Sequence, residues 1–233
     1  MMSKFSANQK IGEIVTQFPK AADIFKEYRI DFCCGGDRIL KSVLQEEDLD
    51  ESVILDRINR LYEELKYQNQ SDRDWTEESS SKLIDHIVNT HHAYLNAELP
   101  RISELTTKIL RVHGAHHPEL KTVHRLFHNL KMELEQHLIK EDETQFPLIK
   151  AYETNPTAEA KQQIQRILRE LEEEHTGAGD ILKELRKVTH DFELPEDACA
   201  TYRLTYEKLE ELENDIFQHV HLENNILFPR LRG

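Results

Sequence analysis

Two stretches of the chain repeat one pattern of histidine, glutamate, phenylalanine and proline. The first is His137, Glu141, Phe146 and Pro147; the second is His219, Glu223, Phe228 and Pro229. Both read H-x3-E-x4-F-P. On a helix, residues four apart lie one above the other on one face. Each copy therefore aims an imidazole and a carboxylate at the same point, and two copies in one chain predict a metal site built between helices.

The elements that must position these side chains are legible as four long patterns of helical spacing. The first carries Ile84, Val88, His92, Leu95, Leu99, Ile102 and Ile109, with Thr106 on the same seam. The second carries Val123, Phe127, Leu130, Leu134, His137 and Glu141. The third carries Ile164, Leu168, Leu171, His175, Ala178, Leu182 and Leu185, and the fourth Leu209, Leu212, Ile216, His219, Glu223 and Ile226. Steps of three and four alternate in each, the seam of a packed bundle. Breaks fall at residues 114–118, 153–156 and 191–195, with Asn155 read as a helix cap and Pro156 as first-turn proline. Short breaks make neighbouring helices antiparallel, an up-down-up-down four-helix bundle.

Each seam should be apolar, yet each is interrupted by His, or by His and Glu. Burying an unpaired carboxylate costs several kcal/mol, on the order of the desolvation of an ion. Heights agree as well. His92 lies about as far before the turn near Ala115 as His137 lies after it, so at roughly 1.5 Å rise per residue the two are level. His92 to His137 spans 45 residues and His175 to His219 spans 44. The bundle thus reads as two αα-hairpins, each giving a lone His from its first helix and an H-x3-E pair from its second. One tetrahedral zinc does not need six residues. A pair of transition metals does: two His per metal from His92, His137, His175 and His219, with Glu141 and Glu223 bridging. One oxo or hydroxo bridge would leave each metal five-coordinate. Imidazole and carboxylate without thiolate suit iron or manganese, and iron is the expected metal. Buried histidines hydrogen-bonded to glutamates are the competing reading.

Other residues are assigned lesser parts. His113 falls on the first seam, but 21 residues beyond His92, roughly 31 Å along a continuous helix; it is read as a cap or surface residue, the alternative being a helix break that brings it to the metals. His124 and His128 are read as a solvated i, i+4 pair, and His86, His91, His190 and His221 as exposed. Glu173 or Glu174, or Tyr202 and Tyr206, are candidates to hydrogen-bond the outer nitrogen of a ligand imidazole. Phe146 and Phe228 should close the apolar end of the site, and Pro147 and Pro229 should end their helices. Cys199 reads as an ordinary buried thiol.

Residues 1–67 form a small helical module, residues 68–80 a polar linker and residues 81–233 the bundle. In the module, Asp31-Phe-Cys-Cys-Gly-Gly-Asp37 is a turn, and Asp50 caps the last helix. Adjacent Cys33 and Cys34 do not bridge easily. They are candidate redox or iron-relay thiols, or two small residues in a tight turn. The net charge of −14 argues against nucleic acid or an anionic membrane as partner. No apolar run suggests a membrane span and the first ten residues lack a signal-type core, so a cytoplasmic location is expected. Three cysteines are not a secreted disulfide framework.

Asp31-Phe-Cys-Cys-Gly-Gly near the start, followed by a bundle ending in His-Leu-Glu-Asn-Asn-Ile-Leu-Phe-Pro, resembles the bacterial repair-of-iron-centres proteins. These join a short Cys-Cys-Gly-Gly domain to a hemerythrin-like domain. The resemblance covers nearly the whole chain, including Val112-His-Gly and Glu196-Asp-Ala-Cys199. It implies an all-α protein, a hemerythrin-like up-down-up-down four-helix bundle preceded by a small helical N-terminal domain. It further implies a centre of two non-haem iron ions, oxo- or hydroxo-bridged, on His92, His137, Glu141, His175, His219 and Glu223. The implied function is repair of iron–sulfur clusters damaged by oxidative and nitrosative stress, by donating iron to damaged iron–sulfur proteins. A di-iron enzyme reducing nitric oxide or peroxide, or an O2- or NO-binding sensor, are the alternatives. A homodimer is left open.

Overall fold

The computed structural model describes residues 4–65 and 74–232. Of the polar linker, residues 68–73 lie outside the described residues. The described chain is helical, with no strand among its residues and one isolated bridge between Lys10 and Ile39. It divides into two compact units. One runs from Ser80 to His219; the other joins the chain up to Ser79 with the stretch from Val220 onward.

The first of these units holds the bundle. Its helices are α1 (Ser80–Ile87), α2 (Ala93–His113), α3 (Leu120–Lys140), α4 (Phe146–Thr154), α5 (Ala158–Val188) and α6 (Ala200–His221). Helices α2, α3, α5 and α6 are the four predicted seams, and they form the up-down-up-down bundle. Their apolar positions are its core: Leu95, Leu99, Ile102 and Ile109 face Val123, Phe127, Leu130 and Leu134, with Ile164, Leu168, Leu171, Leu182, Leu209 and Leu212, all buried. The start of α5 is shifted from its predicted cap. Thr157, not Asn155, caps it, its hydroxyl accepting the Ala160 N–H at 3.2 Å. The N-terminus of α1 is capped from outside: the Glu153 carboxylate accepts the Ser80 and Ser81 N–H groups at 2.7 and 3.1 Å.

Sequence spacing does not show that α1 and α2 are joined by a π-helical turn, Val88–His92, or that a second, Glu141–Gln145, joins α3 to α4. Each inserts width into a helix without breaking it. Pro147 therefore does not end its helix, as expected, but sits in the first turn of α4. The carbonyl that a proline at 147 would strike in a regular helix belongs to Glu143, which lies in the widened turn.

The other unit comprises four short helices, Ile11–Gln17, Ala21–Glu27, Leu40–Glu46 and Glu51–Leu65, with a π-helical turn Leu222–Leu227 and the helix Phe228–Arg232. Pro229 likewise lies inside a continuing helix. Ile11, Ile14, Phe25, Leu40, Leu44, Ile54 and Ile58 are buried at its centre. Phe5, Phe18 and Tyr62 pack with ring centroids 5.3 to 6.0 Å apart. Asp50 caps the fourth helix as predicted, accepting the Ser52 and Val53 N–H groups at 2.8 and 3.2 Å. Among the described residues, no helix is long and apolar enough to cross a membrane.

Candidate metal centre

Within the bundle, four helices bring five of the six predicted donors together. His92 comes from the π turn ahead of α2, His137 from α3, His175 from α5 and His219 from α6; Glu141 opens the second π turn. All five are buried, and Glu141 is 0% exposed. The Glu141 Oε2 lies 3.3 Å from His92 Nε2 and 3.2 Å from His137 Nε2. His92 Nε2 also lies 3.3 Å from His219 Nε2, and the His137 and His175 rings are 5.0 Å apart. One ligand atom each from His92, Glu141 and His219 falls within 4.8 Å of the others, and the same holds for His137, Glu141 and His175. Glu141 belongs to both groups. The sixth predicted donor, Glu223, follows His219 by one turn of the same helical run, lies in a π-helical turn and is 0% exposed.

The outer nitrogens explain the orientation of two imidazoles. His92 Nδ1–H donates to Asp142 at 2.8 Å, and His137 Nδ1–H donates to Glu174 at 2.8 Å. With the proton on Nδ1, each Nε2 turns a lone pair inward, the tautomer a metal ligand needs. The His137 ring, and behind it Lys140, hold the Glu174 carboxyl down to about 2. Glu174 is therefore an anionic acceptor throughout the neutral range. Inward-facing lone pairs and a carboxylate gathered on one point are repulsive among themselves, and a cation between them removes that repulsion. Nitrogen and oxygen donors without thiolate suit iron. Phe146 stacks on His92 at 5.6 Å and closes one side.

Several other assignments change. Glu174 takes the supporting part foreseen for it, whereas Asp142 was not foreseen; its only sequence signal is its place beside Glu141. Tyr202 and Tyr206 bond each other at 3.3 Å, and Tyr202 packs edge-on against His113 and His117, with ring centroids 5.3 and 5.7 Å away. His91 is buried, not exposed, and donates to Asp215 at 2.9 Å with its ring parallel to that of His219. The π turn causes this, since an extra residue per turn lets both His91 and His92 face inward. His221 is also buried, and burial pushes it down to about 4. His124 and His128 are not a free solvated pair. They stack at 4.0 Å and reach Thr107 and Ser103 on α2, at 3.2 and 3.0 Å.

His113 does not join the cluster. It stands at the end of α2, 3.2 Å from the sulfur of Cys199, which is exposed rather than buried. Cys199 directly precedes α6. The Tyr202 backbone N–H, then the His113 ring, lower its thiol to about 7. Stabilising the thiolate lowers the pKa, so Cys199 reacts as the anion near neutral pH. Iodoacetamide labelling read by peptide mass spectrometry is expected to show Cys199 modified fastest of the three cysteines at pH 7, with a rate midpoint near 7. His113→Ala should move that midpoint upward; an unmoved midpoint would remove His113 from the explanation.

The predicted thiols Cys33 and Cys34 do not form a disulfide, Cys33 being buried and Cys34 half-buried. Their sulfurs are 3.8 Å apart. Asp31 shapes the turn, its Oδ1 accepting the backbone N–H of Cys33, Cys34 and Gly35 at 3.2, 3.0 and 3.1 Å. One ligand atom each from Asp31, Cys33 and Cys34 lies within 4.8 Å of the others. The Cys34 sulfur first, then burial and Asp31, push the Cys33 thiol up, so Cys33 holds its proton at neutral pH.

Two family models match the chain. Residues 7–62 match the domain of unknown function DUF542, and residues 83–231 match the hemerythrin HHE cation binding domain. The iron-sulfur cluster repair protein ScdA of Staphylococcus haemolyticus is 34% identical over 221 residues, 94% of this chain and 96% of its own. The probable iron-sulfur cluster repair protein of Haemophilus influenzae is 36% identical over 225 residues, 97% of each chain. The iron-sulfur cluster repair protein YtfE of Escherichia coli O157:H7 is 31% identical over 223 residues, 96% of each chain. With both domain models matched and such relatives aligned nearly end to end, the chain belongs to the hemerythrin-like iron–sulfur cluster repair family.

Proposed function

We propose that this protein is a di-iron protein of the cytoplasm that restores iron–sulfur clusters damaged by oxidative and nitrosative stress, and that it does so by giving up iron. His92 and His219 would hold one ion and His137 and His175 the other, with Glu141 and Glu223 between them. The observation that carries this reading is the Glu141 carboxylate, set at 3.3 and 3.2 Å from the Nε2 atoms of two different histidine pairs. The names of the relatives support the clients, damaged iron–sulfur proteins.

Iron supplied from such a site is the component that a damaged cluster has lost. This chain's residues govern how tightly it is held. Asp142 and Glu174 keep protons on the outer imidazole nitrogens and fix the rings. Four neutral imidazoles and two carboxylates balance only half the charge of two ferrous ions, which favours release over storage. Cys33, Cys34 and Asp31 gather a second, softer donor set suited to receiving an outgoing ion.

The test uses protein loaded with isotopically labelled ferrous iron and a dehydratase whose cluster has been damaged. Activity is expected to recover faster than with the same amount of free ferrous iron, with label in the rebuilt cluster. Recovery no better than free iron would overturn donation. Retained iron with steady consumption of nitric oxide or peroxide would point to catalysis instead.

A further inference from the structure

The Cys33-Cys34 turn is held by something the mechanism above does not use. Asn225 sits two residues beyond Glu223, in the same π-helical turn. Its Nδ2 donates to the carbonyls of Cys33 and Phe32 at 3.0 and 3.2 Å. Asn224 adds a longer bond to the Cys33 carbonyl at 3.4 Å. The contacts join residues 192 and 193 positions apart in the chain.

The carboxamide fits where it does because two backbones lack side chains. A Cβ on Gly36 would stand 2.2 Å from Asn225 Oδ1, and a Cβ on Gly12 would stand 2.3 Å from it. These two glycines are themselves joined, the Gly12 N–H donating to the Gly36 carbonyl at 2.8 Å. Gly36 is the second glycine of the Cys-Cys-Gly-Gly turn. The Phe32 and Cys33 carbonyls both require a donor, which sets the nitrogen towards them, and the bare backbones of Gly12 and Gly36 leave room for the oxygen.

We propose that Asn225 is a positioning residue, a latch that seats the Cys33-Cys34 turn against the helical turn carrying Glu223 so that the thiols can take up iron leaving the centre. This rests on the donation reading above. A side chain other than Asn fails for separate reasons. Asp has the shape but presents oxygen to two carbonyl oxygens, and Ala has no donor at all.

The experiment compares Asn225→Asp and Asn225→Ala with wild type, each loaded with iron. Both variants are expected to keep two irons per chain and the wild-type optical spectrum, because Asn225 is not a ligand. Iodoacetamide labelling of Cys33 in the folded protein should speed up at least tenfold, and cluster recovery should fall about tenfold. In a Cys33→Ser, Cys34→Ser background, adding Asn225→Ala should lower recovery no further, since latch and thiols act as one unit. Gly12→Ala, whose Cβ would meet the Asn225 carboxamide at 2.3 Å from outside the turn, should copy both effects. Unchanged Cys33 labelling, lost iron, or a full additional loss in the serine background would each overturn the latch. Wild-type recovery by the serine variant would also overturn it, while leaving iron donation standing. Failure of the wild type to beat free ferrous iron would instead overturn the donation reading, and Cys33 labelling would still decide whether the latch exists.

Discussion

Replacing Glu141 by leucine is expected to leave less than one iron per chain after anaerobic loading, measured by elemental analysis, against two for the wild type. The same substitution should not harm the metal-free fold. Glu141 is a carboxylate with 0% exposure, surrounded by imidazoles. A buried carboxylate carries a desolvation cost that an apolar side chain of similar volume does not, so without metal the exchange should be neutral or stabilising. In the loaded protein the sign reverses. A ligand present at about a thousand times its Kd stabilises by about 4 kcal/mol, and the variant forfeits that. For a chain of this size about 1 kcal/mol shifts Tm by roughly 2–4 °C. Glu141→Leu should therefore melt at or above the wild type without iron, and roughly 10 °C below it with iron. A variant that keeps two irons would end the bridging assignment. One that is weaker without metal would show Glu141 to be a structural hydrogen-bonding residue.

Arg186→Ala is expected to cost about 3–5 kcal/mol, because it strands a buried carboxylate. Arg186 on α5 holds Glu213 on α6 through Nε, at 2.8 and 2.7 Å from the two carboxylate oxygens, and through a terminal nitrogen at 2.5 Å. Glu213 is 1% exposed. Burial pushes its carboxyl up and Arg186 opposes that push, so burial wins. Arg186 also lies over the Phe192 ring at 5.2 Å, and its carbonyl accepts the Asp191 N–H at 2.8 Å. Here the chain runs through three consecutive left-handed residues, His190, Asp191 and Phe192, with φ of 50, 60 and 59°. Non-glycine residues resist that conformation by about 1–2 kcal/mol each, and the Arg186 contacts hold it. Thermal melting of the metal-free protein should fall by roughly 10 °C. Arg186→Met with Glu213→Leu should recover most of the loss. A loss under about 1 kcal/mol would place the pair with ordinary surface ion pairs.

Helical spacing made the four bundle helices and five converging donors legible. A polar residue on an otherwise apolar seam stands out, and equal heights in two hairpins separate His92 and His175 from the other histidines. What spacing missed lies where the helix departs from its own period. The π turns at Val88–His92, Glu141–Gln145 and Leu222–Leu227 have no local residue signature. They turned His91 inward and let helices continue past Pro147 and Pro229. Asp142 was invisible because a carboxylate beside Glu141 reads as solvated. Cys199 was misjudged because cysteine is so often buried; its place ahead of α6 and across from His113 depends on the bundle closing.

The latch across the Cys33-Cys34 turn also orders events in time. Its two partners are separated by 192 residues, so closing it costs about 5 kcal/mol of chain entropy beyond a fixed term. Contacts of such range form after local ones, because short helices close their own turns long before distant segments meet. The Cys33 carbonyl is therefore among the last groups of the turn to find its partner. The turn that carries the most sheltered thiol is completed only when segments far apart in the chain have met.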